Sequence, residues 1–173
     1  MNIIKIKPNK NGDSRVADHV PTIEEFKEAN IYHIKDVKNI MGEFAQEIRN
    51  RSEKHDWTKR VEPYESMFYR DMCDTIEGRI DFFDGEWSRL HYTELERHHL
   101  DRFCPEDVNL IDVIEMLCDC VVAGKARSGD VYDINISDTI LQKAVKNTVE
   151  TLKSHVVVEG EQEIDVTLKE PFI

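Results

Sequence analysis

The sequence predicts a mainly helical fold with a small β addition at its two ends. Apolar residues recur at helical spacing in successive segments between about residues 22 and 156, and capping residues or prolines precede several of them. Short runs rich in β-branched residues lie outside these segments, at about residues 2–7 and 156–170. Because 173 residues without a linker or a repeat suit one core, we expect residues 1–173 to form a single domain.

The first helices are expected after a strand at NIIKIK and a loop over residues 8–21. Thr22 and Glu25 have the spacing of a capping box and predict the start of a short helix through EEFKEAN. A longer helix is expected from about Ile31 to Ser52, with HDWTK at its end or just beyond. Its buried face is expected to consist of His33, Val37, Ile40, Met41, Phe44 and Ile48.

Proline and glycine punctuate the middle of the chain. Pro63 can open a helix through EPYESMFYRDMCDTIEGR near its first turn. Gly78 and Gly85 bracket the loop that follows. Another helix is expected from Glu86 to about Phe103, where the next proline stops it.

Two further helices are predicted in the second half. Asn109 can cap a helix through LIDVIEMLCDCVVAGKARSG, which is apolar nearly all round and is therefore expected at the centre. Ser137 can cap the last helix. The inward face of that helix is expected to consist of Ile140, Leu141, Ala144, Val145, Val149 and Leu152. The tail after it predicts one or two strands, which could form a hairpin at Glu159–Gly160 or pair with the N-terminal strand.

Composition and charge argue against several classes of protein. A hydrophobic share of 40% and a charged share of 34% are typical of a globular chain, and no apolar run approaches the roughly 20 residues that span a bilayer. A net charge of −12 without a basic stripe argues against an extended nucleic acid as partner. A small phosphorylated ligand held by a metal ion stays compatible with that charge. The start lacks an apolar signal stretch, so we expect a cytoplasmic protein.

The predicted central helix carries the first chemical signal. Asp112, Glu115 and Asp119 are its only acids, and helical geometry places them within about 60° of one another. A carboxylate on a buried helix is costly unless it is paired or binds a cation. Asp112 could instead face water in the first turn, where the helix dipole favours acids. For Asp119 we expect a buried, functional position.

Histidines supply the second signal. His55 directly precedes Asp56 in HDWTK, and further histidines occur at positions 33, 91, 98 and 99. His91 and His98 are seven residues apart and would share a helix face, whereas His99 would point about 100° away. The alternatives are that His33 is an ordinary core residue and that His98 and His99 form a polar helix end. Imidazole and carboxylate together suit Mn²⁺, Fe²⁺, Zn²⁺, Ni²⁺ or Co²⁺.

The order of these residues resembles the HD-domain superfamily of metal-dependent phosphohydrolases, which are helical bundles. The resemblance implies His33, His55, Asp56 and Asp119 as ligands of one divalent ion. His91, His98 and His99 look like the extra histidines of the branch that binds two ions, so one or two transition metal ions are expected. Lys59 matches the lysine of the HDxxK form, which lies near substrate phosphate.

A second resemblance covers roughly residues 31–155. The stretch HHLDRFCPEDVNLIDVIEMLCDCVVAGKARSGDVYDINISDTILQKAVKNTVETLK looks similar to a family of phage and prophage-associated proteins of unassigned function. This resemblance implies a phage-encoded protein in the cytoplasm of its host.

Three functions are compatible with these observations. The first is hydrolysis of a small phosphorylated substrate, with a nucleotide as the first expectation. There, Asp56 would bridge ions or accept a proton, Lys59 or Arg127 would neutralise phosphate, His98 would protonate the leaving group, and Glu115 would support the ligands. The second is a di-iron oxygenase on the same scaffold. The third is a non-enzymatic acidic phage protein that binds a host factor. An exposed strand edge could also mediate homodimerisation.

Overall fold

The structure, a computed structural model, describes residues 1–160, and the prediction of a mainly helical fold is confirmed. In chain order the helices and strands are β1 Ile4–Ile6, α1 Ile23–Lys54, α2 Tyr64–Ile76, α3 Glu86–Leu90, α4 Leu110–Ser128, α5 Asp138–His155 and β2 Val156–Val158. Among the described residues, no helix combines the length and the apolar character that crossing a bilayer requires. The part of the predicted C-terminal strands that covers residues 161–170 lies outside the described residues.

Two compact units make up the described chain. One contains residues 1–46 and 150–160, and the other contains residues 47–149. α1 and α5 each contribute residues to both units. The single domain expected for residues 1–173 stays a prediction.

The terminal strands belong to the first unit. β1 and β2 pair in parallel, with Ile4 opposite Val156 and Ile6 opposite Val158. The Glu159 N–H continues the ladder by donating to the Ile6 carbonyl at 2.8 Å. The predicted pairing of the C-terminal segment with the N-terminal strand is therefore confirmed, whereas a hairpin at Glu159–Gly160 would need residues beyond those described.

α1 begins at the predicted capping box. The Glu25 N–H donates to Thr22 Oγ1 at 3.2 Å, and the Thr22 N–H donates to Glu25 Oε2 at 2.8 Å. The helix then continues for 32 residues, so the two helices predicted here are one. Neither proline nor glycine separates them, and the Asn30 side chain donates to the Phe26 carbonyl of the same helix. The predicted buried face is wrong at His33, Val37 and Met41, which are exposed.

α4 contributes Val113 and Met116 to the core of the second unit. The buried cluster there consists of Leu100, Val108, Val113, Met116 and Ala144. Val121 and Val122 of α4 are exposed, so its central position stays a prediction. Asn109 caps α4 as predicted, because its side chain accepts from the Ile111 N–H at 2.9 Å. The Leu110 N–H donates to Thr148 of α5 at 2.9 Å. Ala144 and Thr148 thus mark the buried face of α5. Leu141, Val145 and Val149 were predicted to face inward but are exposed. The buried face of α5 is therefore rotated from the predicted one by about one residue, towards Ala144 and Thr148.

The helix predicted from Glu86 to Phe103 is wrong in its extent. α3 ends at Leu90, a wide π-helical turn covers His91–Leu95, and the chain is extended at Glu96. The buried Glu96 carboxylate accepts hydrogen bonds from the backbone N–H and hydroxyl of Thr58, a residue outside this helix. These hydrogen bonds stabilise the extended conformation at Glu96, so the helix does not continue. π-Helical turns of this kind are frequent at functional sites. His98 and His99 therefore follow the helix instead of lying on it.

Candidate metal centre

Seven side chains of the second unit converge where α1 ends, where the π-helical turn lies and along α4. They form three overlapping sets in which the nearest ligand atoms all lie within 4.8 Å of one another. We name these sets the deep group (Asp56, His91, His98 and His99), the middle group (His55, His98 and Glu115) and the open group (His55, Asp56 and Asp119). Asp56 belongs to both the deep group and the open group.

The deep group has the spacing of a metal site. His99 Nε2 lies 2.9 Å from His91 Nε2, and Asp56 Oδ1 lies 3.5 Å from His91 Nε2 and 3.7 Å from His98 Nε2. Ligand atoms about 2.1 Å from a tetrahedrally coordinated ion are about 3.4 Å apart. One divalent ion therefore fits among these four side chains with small adjustments.

Unpaired polar atoms at this position also indicate a cation. Asp56 Oδ1 and both ring nitrogens of His98 are buried and have no hydrogen-bond partner in the described part of the chain. Leaving a buried polar group without a partner costs about 1–3 kcal/mol. An ion bound by Asp56 Oδ1 and His98 Nε2 would remove two of these three deficits.

The protonation states of the deep histidines suit metal binding. Burial lowers the pKa of His91 to about 3 and that of His99 to about 2. Both imidazoles are therefore neutral at physiological pH, and the neutral ring is the form that binds a metal ion. The deep group thus includes two uncharged imidazoles, His91 and His99, beside His98 and the Asp56 side chain.

The open group is charged differently. Hydrogen bonds with Asp119 and then Glu115 raise the pKa of His55 to about 10, so its imidazole carries a proton at neutral pH. His55 Nδ1 lies 3.0 Å from Glu115 Oε1, and its Nε2 lies 3.6 Å from Asp119 Oδ1. A hydrogen bond with His55 in turn lowers the pKa of Asp119 to about 2. In the metal-free protein this proton compensates the acids, and an ion in the open group would take its place.

A hydrogen-bonded relay fixes the tautomer of His91. The Thr58 hydroxyl donates to Glu96 Oε1 at 3.1 Å, and it lies 2.7 Å from His91 Nδ1. Because the hydroxyl has one proton, it must accept from a protonated Nδ1 of His91. The lone pair of His91 is then on Nε2, which faces the deep group. Carboxylates that orient ligand histidines in this way are common around metal ions.

An aromatic support holds the same ring from behind. Trp87 stacks on His91 with 4.2 Å between ring centroids and an angle of 20°. The backbone N–H of Trp87 donates to Asp71 Oδ2 at 2.7 Å. Gly85 allows this approach, because a Cβ atom there would lie 2.3 Å from the same carboxylate oxygen. The position of His91 is therefore set by packing as well as by hydrogen bonds.

Asp56 adopts an unusual backbone conformation. Its φ of 53° is left-handed, which is uncommon for a residue other than glycine. Within residues 1–160, Asp56 alone among the non-glycine residues has a positive φ. Such conformations cost free energy and cluster at functional sites. Here the turn directs Asp56 towards the deep histidines, while Lys59 contacts its other carboxylate oxygen, Oδ2.

A second charged network adjoins the cluster. Asp112 has no exposed surface and contacts Arg51 at 2.5 Å and Arg97, through both carboxylate oxygens, at 2.9 Å. Arg51 also donates to Glu115 at 3.1 Å. The expectation that Asp112 could face water is therefore wrong, because two guanidinium groups replace its hydration.

Sequence reasoning identified most of the cluster. The structure brings together His55, Asp56, His91, His98, His99, Glu115 and Asp119, with Lys59 beside Asp56. The sequence analysis did not identify the supporting residues Arg51, Arg97, Thr58 and Glu96. The buried acid Asp112 was the available signal for the two arginines, because such an acid needs cationic partners.

Two predicted residues do not join the cluster. His33 is exposed on α1 within the first unit and is not a member of the three ligand groups, so its role as a ligand stays a prediction. Arg127 is exposed in the last turn of α4, not in the loop after it, and lies eight residues beyond Asp119. The ring of His98 is buried, so it suits a ligand better than the acid that protonates a leaving group.

A cavity of about 240 Å³ adjoins the open group. It lies between the last turns of α1 and the middle of α4, within the second unit. His55, Asp119 and Glu115 line it, whereas the three deep histidines do not. A ligand in this cavity would therefore approach the open group first.

Replacing Thr58 by valine is expected to weaken Zn²⁺ binding about 10–100-fold, because valine keeps the shape but removes the hydroxyl that orients His91. Competition with a chromophoric chelator measures this affinity. Thr75→Val is the matched control, since the Thr75 hydroxyl donates only to the Asp71 carbonyl of its own helix. Equal affinity in Thr58→Val and wild type would contradict the relay.

Comparison with known proteins adds a family. A family model described as a family of unknown function, DUF5662, matches residues 22–162. Neither the curated proteins nor the solved structures contain a significant match. None of these comparisons connects the chain to the HD-domain superfamily.

Proposed function

The chain belongs to the DUF5662 family, and we propose that it is a hydrolase that uses divalent transition metal ions to cleave a phosphate ester or anhydride in a small molecule. The observation that carries this proposal is the position of Asp56 between the deep group and the open group. Its Oδ1 faces His91 and His98, and its Oδ2 lies 3.5 Å from His55 Nε2. One carboxylate can therefore bridge two ions.

The two groups differ in access to solvent, which supports different roles. His91 and His98 are almost completely buried. The side chains of His55 and Asp119 are 30% and 26% exposed. Structural metal sites are closed by protein ligands, whereas catalytic sites keep a position for water or substrate. We assign the firmly held ion to the deep group and the reactive one to the open group.

The chain's own residues supply the remaining parts of the reaction. A bound divalent ion lowers the pKa of water from about 15.7 towards 7, which provides a hydroxide nucleophile near neutral pH. Asp56 would hold an ion on either side, and Lys59 contacts the Asp56 oxygen that faces the open group. From that position the Lys59 ammonium can neutralise charge on a phosphate group.

A di-iron oxygenase is the second candidate, and one observation favours it. The wall of the cavity beside the open group is largely aliphatic, which suits an apolar substrate whose C–H bonds are oxidised. Imidazole-rich ligand sets also suit iron. Oxygen consumption by the Fe²⁺-loaded protein distinguishes this activity from hydrolysis.

The test of the proposal is phosphate release. Protein loaded in turn with Mn²⁺, Fe²⁺, Co²⁺, Ni²⁺ or Zn²⁺ is expected to hydrolyse at least one compound in a panel of phosphate monoesters, diesters and nucleotides. Lys59→Met is expected to lower kcat about 100-fold while metal content stays unchanged, because it removes the ammonium that meets phosphate and leaves every ligand side chain in place. Lys143→Met is the control, since the Lys143 ammonium pairs with Glu106 at 3.4 Å on the surface and neither residue belongs to the ligand groups.

Each alternative has its own result. Retained metal without release of phosphate from any compound would overturn the proposal. Oxygen uptake under those conditions would favour the oxygenase. Absence of both phosphate release and oxygen uptake would favour a non-enzymatic protein that binds a host factor.

A further inference from the structure

We propose that the substrate carries an aliphatic group of up to about eight carbons, which occupies the cavity beside the open group. This inference rests on the proposed function for the phosphate half of the substrate. It departs from the expectation of a nucleotide, and it concerns the part of the molecule that is not cleaved.

The cavity lining has two chemically distinct parts. Arg51, His55, Glu115 and Asp119 form a polar part, which is shared with the metal cluster. The remaining wall is formed mainly by the aliphatic side chains of Ile48, Ile111, Ile114 and Val122. A ligand that fits both parts has a compact anionic head and an apolar group.

The wall is poorly suited to a nucleobase. Bases are held in proteins by stacking on aromatic side chains and by hydrogen bonds to their edges. Among the described residues that line this cavity, none is phenylalanine, tyrosine, tryptophan, asparagine or glutamine, and its one imidazole, His55, belongs to the ligand groups. Ser52 and Cys118 are the neutral side chains with a polar atom there. Burial of an aliphatic group is therefore favoured over recognition of a base.

The volume limits the length of the tail. A dry protein cavity of about 150 Å³ accommodates benzene, with its six carbons. By the same ratio, the 240 Å³ here corresponds to about ten carbons in all, and the phosphate head takes part of that volume, which leaves room for about eight. Each buried methylene group should raise affinity about fourfold until the cavity is full.

Two acidic side chains in the polar part of the lining make binding of such a ligand depend on metal. Glu115 and Asp119 lie there, and Arg51, the arginine of the lining, already pairs with Glu115 at 3.1 Å. A phosphate beside these carboxylates therefore gains net attraction when a further cation is bound. The metal ion of the open group would supply that cation.

The experiment is calorimetric titration of the metal-loaded full chain with n-alkyl phosphonates of two to twelve carbons, which cannot be hydrolysed. Affinity is expected to rise about fourfold per methylene and to level off near eight carbons. Val122→Trp, which fills the cavity from its rim, should lower the affinity for the eight-carbon ligand at least tenfold. Val121→Trp is the matched control, because Val121 is the next residue back on α4 and does not line the cavity.

Two results would overturn the inference. One is an affinity that does not change with chain length, and the other is equal loss of affinity in Val121→Trp and Val122→Trp. Phosphate release from nucleotides together with either result would leave the proposed hydrolase intact and remove only the aliphatic substrate. Chain-length dependence without phosphate release from any alkyl phosphate would support the ligand class and count against hydrolysis.

Discussion

Replacement of Asp56 by asparagine is expected to remove most bound metal from the protein. Asp56 is the residue that the deep group and the open group share, so one substitution there acts on both groups. Asparagine offers a neutral oxygen in place of a carboxylate, and we expect metal affinity to fall by on the order of a hundredfold or more. Asparagine also tolerates the left-handed backbone of position 56, so the fold should persist.

Elemental mass spectrometry of protein purified without a histidine tag or chelator measures this effect. Wild type is expected to contain about one or two transition ions per chain, as the two ligand groups predict. Asp130→Asn makes the same chemical change at a side chain that is 92% exposed, and it should retain the wild-type metal content. Equal metal in Asp56→Asn and wild type, or no metal in wild type after reconstitution, would remove the proposed centre.

The parts of the fold that the sequence predicted well depend on local interactions. Thr22 with Glu25, and Asn109 at the start of α4, cap helices through neighbours within a few residues. Such contacts leave a recognisable spacing in the sequence.

The parts that could not be predicted depend on distant partners. Periodicity alone does not show whether two helical segments are joined, and the prediction of His33 as a ligand depended on that point. The π-helical turn at His91–Leu95 is likewise held by Glu96 and Thr58, which are 38 residues apart. His98 was predicted on a helix face, yet it reaches the cluster from an irregular segment.

The candidate ligands were easier to find than their supports. Histidines are few in this chain and five of them lie in an informative order, so composition alone drew attention to them. Arginine and threonine are common on surfaces, and nothing local marks Arg97 or Thr58 as buried partners. Asp112, an acid in the first turn of a largely apolar helix, indicates that a cationic partner is required. The sequence does not indicate which cation that partner is.

Asp112→Asn is expected to destabilise the protein by about 3–5 kcal/mol, because it leaves the guanidinium groups of Arg51 and Arg97 without their shared buried charge. Asp112 has no exposed surface, and both of its carboxylate oxygens are engaged by Arg97. Asparagine keeps the size of the side chain, so the loss measures charge and hydrogen bonding more than packing. Urea unfolding with excess EDTA gives the free energy of unfolding without any contribution from bound metal.

Asp107→Asn provides the matched comparison, because Asp107 contacts the same Arg97 at 2.9 Å but its side chain is 77% exposed. An exposed ion pair contributes little, so this substitution should cost less than about 1 kcal/mol. Similar losses in the two variants would show that burial of Asp112 does not set its contribution. Because Arg51 also contacts Glu115, Asp112→Asn should in addition weaken the metal cluster, whereas Asp107→Asn should leave metal content unchanged. A destabilised Asp112→Asn protein with wild-type metal affinity would separate the arginine network from the metal centre.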